Sequence, residues 1–484
     1  MNVLHKIIHG MTNEDIRTYK IYAKRTAEAE SRKDLKLFEE YRKTEHPDEK
    51  EIAARIYGKA ASMNSFHRLK NRLSEEINKS LILTRITENV NLPLYNLHLY
   101  SHYYQRNDYQ LAYFYWKKSL RYALECQDFE LVDMIYSYGM NLARVVPDLV
   151  PTDLIAKMRI NGRYLMVKKH TDEMLAQLSY RIRTTQVYSK VEMNEFKVFQ
   201  SEVNKYLKFN DIEQIDVLKI RFLKLNAQIL IVQEKFEELS DYLLQNFDYI
   251  KQCALFSGPD KEMKIELFIY LINSLNAVRK YHEAIQYAQE LKEYLESEGK
   301  VYYEKFVYFC YQSRVNAFAE LKQHQKALDE LEEAERLKIT RLNPSYEIFA
   351  MINTAICRYE LHDYTKAAKT LGRLYLLPGF RQLDKLLKLK VEIAELIIRI
   401  EKGDLDLADY KWRVLMKDYE IQKTHNTPEK HLLDIIRIIL DQNVSALKSK
   451  IAQSYASMKD LDESAGKNLI DYKEWVLSKH KWLS

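Results

Sequence analysis

The stretch KYHEAIQYAQEL at residues 280–291 returns in altered form as QHQKALDELEEA at 323–334 and DYTKAAKTLGRL at 363–374. Each opens on a polar, turn-like start and carries a small alanine in fifth place. The three alanines are Ala284, Ala327 and Ala367. At the same interval DLDLADYKWRVL supplies Ala408 further on, and KFEELSDYLLQN puts Leu239 in the slot one interval before Ala284. DYQLAYFYWKKS offers Ala112, and the stretch between Ala112 and Leu239 leaves room for three further units. A period of about 40 residues is the signature of stacked helical hairpins. Two antiparallel helices cannot bury both faces alone, so neighbouring pairs stack and share one core. The alanine is small because the second helix must approach the first closely there. The residue three places earlier (Tyr281, His324, Tyr364, Tyr109 or Phe236) is expected to open that helix.

Residues 262–279, EMKIELFIYLINSLNAVR, place Leu267, Leu271, Leu275 and Val278 at helical spacing and supply a first helix. Segments 303–320 and 346–361 take the same place in the next two units. Pro344 and Pro378 fall between units, where a proline does not break a helix.

These units resemble tetratricopeptide repeats over roughly residues 92–420. The resemblance rests on the small residue of the second helix and the residue four later, where Ala288 stands in one unit and the large Leu331, Leu371, Trp412 and Trp116 in the others. The small slot of the first helix is met by Ala355 and Ala227 but holds Ile272 and Val315 in two units, and the period is longer than that of the common repeat. The expected fold is therefore all-α: a right-handed α-solenoid of degenerate tetratricopeptide-like hairpins with an N-terminal helical cap. The expected organisation is a head at 1–90, repeats at 91–425 and closing helices at 426–484.

Composition agrees. Only 10 Gly and 8 Pro among 484 residues leave too little punctuation for strand-and-turn folds. No apolar run reaches the length of a membrane span, and the opening MNVLHKIIHGMTNEDIRTYK lacks a secretory signal, so no membrane insertion and a cytoplasmic, reducing setting are expected. Cys126, Cys253, Cys310 and Cys357 lie far apart, as buried thiols do. Net charge is +6, with 18 basic and 14 acidic residues in 1–90, which is not the charge of a dedicated nucleic-acid binder.

In the head, Thr12 and Asp15 have capping-box spacing, Asp34 opens a further helix, and Gly58 reads as a C-cap. Asn64 or Ser65 then caps a helix whose Phe66, Leu69, Leu73, Ile77 and Leu81 form one stripe. Its other faces carry Arg68, Lys70, Asn71 and Arg72, residues that could contact nucleic acid if the head were a helix-turn-helix reader. The preferred reading is a cap over the terminal apolar face of the stack. MTNEDIRTYKIYAKR, RKDLKLFEEYRK and SFHRLKNRLSEEINKSL resemble the amino-terminal module of uncharacterised cytoplasmic tetratricopeptide proteins of Bacteroidota. That resemblance implies a bacterial source and no known activity. At the other end Pro428 is expected to open a long helix reaching about residue 456, 457–466 to form a loop, and a last helix to bring Trp475 and Trp482 onto the core.

No set of residues points to catalysis. His5 and His9, and His98 and His102, have zinc-compatible spacing but no third ligand in sequence. Phosphate loops and nucleophile elbows are absent, and acidic residues alternate with lysines as on a solvated helix. The expectation is a non-enzyme without cofactor or metal. The 36 tyrosines are the compositional excess, and YNLHLYSHYYQRNDYQLAYFYW at 95–116 concentrates them. Tyr100, Tyr103 and Tyr104 are candidates for gripping a partner peptide, with helix packing as the competing role. The expected function is a non-catalytic scaffold or adaptor that binds a protein or peptide; the alternative is a peptide-responsive regulator with a nucleic-acid-binding head.

Overall fold

The computed structural model describes residues 3–26, 33–44, 47–58, 62–86, 91–184, 214–255, 257–419, 428–441 and 469–481. Every regular element among them is a helix. The head holds α1 (Val3–Gly10), α2 (Asn13–Thr26), α3 (Lys33–Lys43), α4 (Glu49–Tyr57) and α5 (Met63–Arg85). Then come α6 (Leu92–Gln105), α7 (Tyr109–Glu125), α8 (Phe129–Leu142) and α9 (Pro151–Thr184). The remainder comprises α10 (Asp216–Val232), α11 (Phe236–Gln245), α12 (Phe247–Gln252), α13 (Gly258–Ala277), α14 (Tyr281–Glu298), α15 (Lys300–Glu320), α16 (His324–Arg336) and α17 (Pro344–Glu360). It closes with α18 (Tyr364–Leu374), α19 (Lys385–Lys402), α20 (Leu405–Tyr419), α21 (Pro428–Leu440) and α22 (Tyr472–Lys481). The chain divides into two units: the described residues of 1–176, 197–222 and 254–261, and those of 177–196, 223–253 and 262–484.

Hairpin chemistry repeats from turn to turn. Tyr109, Phe236, Tyr281, His324 and Tyr364 are each the first residue of a second helix. Two residues before them the backbone is left-handed, at Asn107, Glu234, Arg279, Lys322 and His362, with φ between 56° and 62°. The following residue returns its N–H to the carbonyl five positions back: Asp108 to Tyr103 at 3.0 Å, Lys280 to Leu275 at 2.8 Å, Gln323 to Phe318 at 2.8 Å and Asp363 to Arg358 at 2.8 Å. This is a helix C-terminal motif whose last residue is also the cap of the next helix. Asp108 and Asp363 complete it by accepting the N–H of Leu111 and Lys366. The slot residues Ala112, Leu239, Ala284, Ala327, Ala367 and Ala408 are all essentially inaccessible. Ile272, Val315, Ala355 and Ala227 opposite are buried as well.

The same turn recurs off the expected period of about 40 residues. Gln127 is left-handed at φ 52°, Asp128 returns its N–H to Ala123 at 3.1 Å, and α8 begins at Phe129, well short of a full period after Tyr109. Val132 fills the slot there. The structure then runs into α9, a single helix of 34 residues, in a region where sequence spacing had left room for ordinary units.

In the first unit the head closes around Tyr19, Phe38, Tyr41, Phe66, Leu73 and Ile77. Thr12 and Asp15 form the reciprocal capping box: Thr12 N–H donates to Asp15 at 2.9 Å and Asp15 N–H to the Thr12 hydroxyl at 3.1 Å. Gly58 ends α4 at φ 84°. α5 begins earlier than expected: Ser62 occupies the cap position, not Asn64 or Ser65. α1 was not anticipated; Leu4 and Ile8 anchor it. A second cluster, centred on Trp116, Ile135 and Leu142, joins α6, α7 and α8.

In the second unit helices pack in chain order, α14 on α15, α15 on α16, and so to α21, and α15 also touches α17. This is a stack of tetratricopeptide-like hairpins. Its last core gathers α17 to α22, with Trp475 buried among Ile397, Ile436 and Val476. Pro344 and Pro428 are the first residues of α17 and α21. The stretch expected to extend α21 to 456, the loop at 457–466 and Trp482 lie outside the described residues.

Candidate functional site

Polar side chains tie the first helices of successive hairpins together. Lys224 of α10 pairs with Glu266 of α13. Gln228 of α10 donates to the Tyr270 hydroxyl of α13 at 3.2 Å, and Asn276 of α13 donates to Ser313 of α15 at 2.7 Å. Burial pushes the Tyr270 hydroxyl up to about 12, so it stays protonated.

Glu266, Tyr270, Asn273 and Asn276 follow one another by three or four residues and share one face of α13. Ser313 and Asn316 share the matching face of α15. Asn273 and Asn316 are exposed. They are as far apart in the chain as Ala284 and Ala327, so they hold equivalent places in two hairpins. Neither makes a side-chain hydrogen bond among the described residues. A primary amide offers a donor and an acceptor side by side, the pattern an extended peptide backbone presents. Two such amides on adjacent first helices can therefore engage a chain laid across both.

Across α14, α15 and α16 runs a partly buried ionic layer. The Tyr311 hydroxyl donates to Glu333 at 2.8 Å and accepts from Lys292 at 2.9 Å. Arg314 pairs with Glu330 and donates to Gln289 at 2.6 Å. Burial raises the Glu330 carboxyl, whereas the Tyr311 hydroxyl holds that of Glu333 below its ordinary range. Breaking a buried pair leaves a charge uncompensated, so the layer locks α14, α15 and α16 into one geometry.

The tyrosines singled out from sequence lie in the first unit, on α6. Tyr100 is buried, at 2% exposure, against Tyr104 and Tyr138, with centroid distances of 5.6 and 5.5 Å, and its hydroxyl reaches the Tyr138 carbonyl. Tyr103 and Tyr104 are half-buried; Tyr103 stacks on Tyr115 at 5.4 Å and Tyr104 meets Tyr109 at 5.7 Å. Leu111 and Phe114 stand exposed on the neighbouring α7.

On α5, Arg68, Asn71 and Arg72 are exposed, while Lys70 is half-buried and held by Glu49 of α4. His5 and His9 bond the Thr44 and Tyr41 carbonyls at 2.8 and 2.9 Å and so close the end of α3. Among the described residues no three His, Cys, Asp or Glu side chains converge as metal ligands, and no helix is long and apolar enough to cross a membrane.

Asn273 and Asn316 were not selected from sequence. An exposed asparagine in a helix resembles any solvated residue; the only available signal was its recurrence at the repeat spacing.

No protein-family model matches the chain, and no curated protein matches it. Among solved structures it is similar to the apo form of RapI, at 13% identity and TM-score 0.38 over 55% of this chain and 98% of that one. It is also similar to the apo form of the quorum sensor NprR from B. thuringiensis, at 16% identity and TM-score 0.42 over 74% and 96%. A third is a Rap protein complexed with Competence and Sporulation Factor, at 15% identity and TM-score 0.37 over 76% and 94%. Likenesses this loose carry no argument about what this chain binds.

Proposed function

We propose that this chain is a non-catalytic scaffold that binds a protein or peptide along the first-helix face of its hairpin stack, acting in the bacterial cytoplasm. The observation that carries the reading is the pair Asn273 and Asn316: exposed, without side-chain hydrogen bonds among the described residues, and placed at equivalent positions on α13 and α15. The partly buried ionic layer supports it, because a preorganised surface loses less freedom on binding. In this reading residues 1–90 form a cap, the part of the chain that resembles the Bacteroidota module; 91–425 carry the repeats, and 426–484 close the stack. Tyr103 and Tyr104 form a second contact surface in the first unit.

Linear peptides selected against the full chain by display test the idea. They are expected to bind at micromolar affinity and to lose at least tenfold in Asn273→Ala with Asn316→Ala, a loss of about 1.4 kcal/mol or more. Peptides that bind the double variant as tightly as the parent would overturn the groove. A nucleic-acid role for the head rests on Arg68, Asn71 and Arg72. It requires binding that weakens steeply with salt and disappears in Arg68→Ala with Arg72→Ala.

A further inference from the structure

Under the last helix, within the second unit, lies a cleft of about 310 Å³. Its walls are aromatic: Tyr359 at the end of α17, Tyr364 opening α18, and Trp475 of α22. The rings of Tyr359 and Tyr364 are 5.8 Å apart. Its charges are mostly negative, from Glu360, Glu401, Asp471 and Glu474.

Those carboxylates are unequally satisfied. Glu401 accepts from the Trp475 indole at 2.6 Å and pairs with Lys479 at 2.7 Å. Glu474 reaches Lys322 at 3.7 Å, both side chains lying well out in solvent, a contact worth little. Glu360 is half-buried and has neither ion pair nor hydrogen bond among the described residues. Burial, then the negative charges of Glu474 and Asp471, raise its carboxyl above the ordinary range; Lys322 and His362 offset this only in part. The chain's own Lys479 shows what the walls accept: its ammonium lies 5.9 Å from the Trp475 ring centroid while holding Glu401. Aromatic faces beside an uncompensated carboxylate attract organic cations, which shed water more readily than metal ions do.

We propose that this cleft is a binding site for an organic cation, an ammonium or guanidinium head group, recognised by the Tyr359, Tyr364 and Trp475 rings with Glu360 as its counter-ion. The site does not depend on the Asn273 and Asn316 face. The same chemistry arrives on a basic side chain of a bound peptide or on a free small amine.

Calorimetric titration of the full chain with N-acetyl-arginine methylamide, with choline and with neutral N-acetyl-citrulline methylamide tests it. At least one cation is expected to saturate at millimolar concentration, with the citrulline analogue at least tenfold weaker. Tighter binding of the capped arginine identifies a peptide side chain as the source, and tighter binding of choline a free amine. Glu360→Gln is expected to weaken the cation at least fivefold while leaving the melting temperature in place. Affinity should also fall on acidification, because protonation removes the charge of Glu360, whose carboxyl burial and the neighbouring carboxylates already raise. Equal binding of the citrulline analogue, no saturable cation binding, or an unchanged affinity in Glu360→Gln would overturn the proposal. Asn273→Ala with Asn316→Ala should leave all of these cation titrations unaltered.

Discussion

At the scale of single residues, space decides outcomes that chemistry alone does not. Gly139 in α8 faces the indole of Trp116. A methyl group added there would lie 2.7 Å from one ring carbon and 2.9 Å from the next. The indole is fixed, donating to the Ile135 carbonyl at 2.7 Å, so it cannot step aside without losing that bond. Gly162, inside α9, has nothing within 4 Å of the same added atom. The two substitutions should therefore differ in sign. Gly139→Ala is expected to destabilise by about 1–3 kcal/mol through overpacking, although alanine is the better helix former. Gly162→Ala should stabilise by up to about 1 kcal/mol. Urea denaturation of both variants checks the contrast; two changes of the same sign would show that Trp116 yields. Residue-scale placement was also where the sequence was least informative. Tyr100, Tyr103 and Tyr104 were visible as an aromatic group, but which ring turns inward depends on Tyr138, on a different helix and far along the chain from Tyr100.

At the scale of elements, the hairpin turn is the unit that repeats, and its geometry explains what could be read in advance. The slot alanines mark helix crossings, so size is constrained there and the long period is legible. The turn from α7 to α8 was missed because Val132 fills its slot and it comes well before a full period has passed. α9 was missed because its apolar pattern has low contrast and the Asn161–Gly162 pair in its middle reads as a turn. Arg279 sits at the left-handed turn position, φ 62°, with its side chain exposed. A residue with Cβ costs energy in that conformation where glycine does not. Arg279→Gly is expected to raise stability by up to about 1 kcal/mol after the added freedom of the unfolded chain is deducted. Thermal unfolding should show a higher midpoint; a drop of that size would mean the arginine makes a compensating contact.

At the scale of the whole molecule, stability in a stack is local, since each hairpin is held by its neighbours. Trp475 covers the exposed end of the second unit's core: it is 3% exposed and its indole holds Glu401 of α19. Trp475→Ala removes about 3–5 kcal/mol of packing by the usual cost of a large-to-small change. Hydrogen exchange should then accelerate first in α19, α20 and α21, with α14 to α16 protected by the Lys292–Tyr311–Glu333 layer. Uniform acceleration across the second unit would show one cooperative block instead of a graded array.

The buried thiols give such a graded array a built-in readout. Cys253, Cys310 and Cys357 are all reduced and enclosed, at successive positions along the hairpins, and burial pushes the Cys310 and Cys357 thiols up to about 12. An alkylating reagent can reach the Cys310 and Cys357 sulfurs only when their own helices come away from their neighbours, since the reactive thiolate is scarce and shielded until then, and Cys253 reports on the connection that follows α12. Pulsed alkylation followed by peptide mass mapping would therefore time the opening of each segment separately, with no probe to engineer and no label to attach.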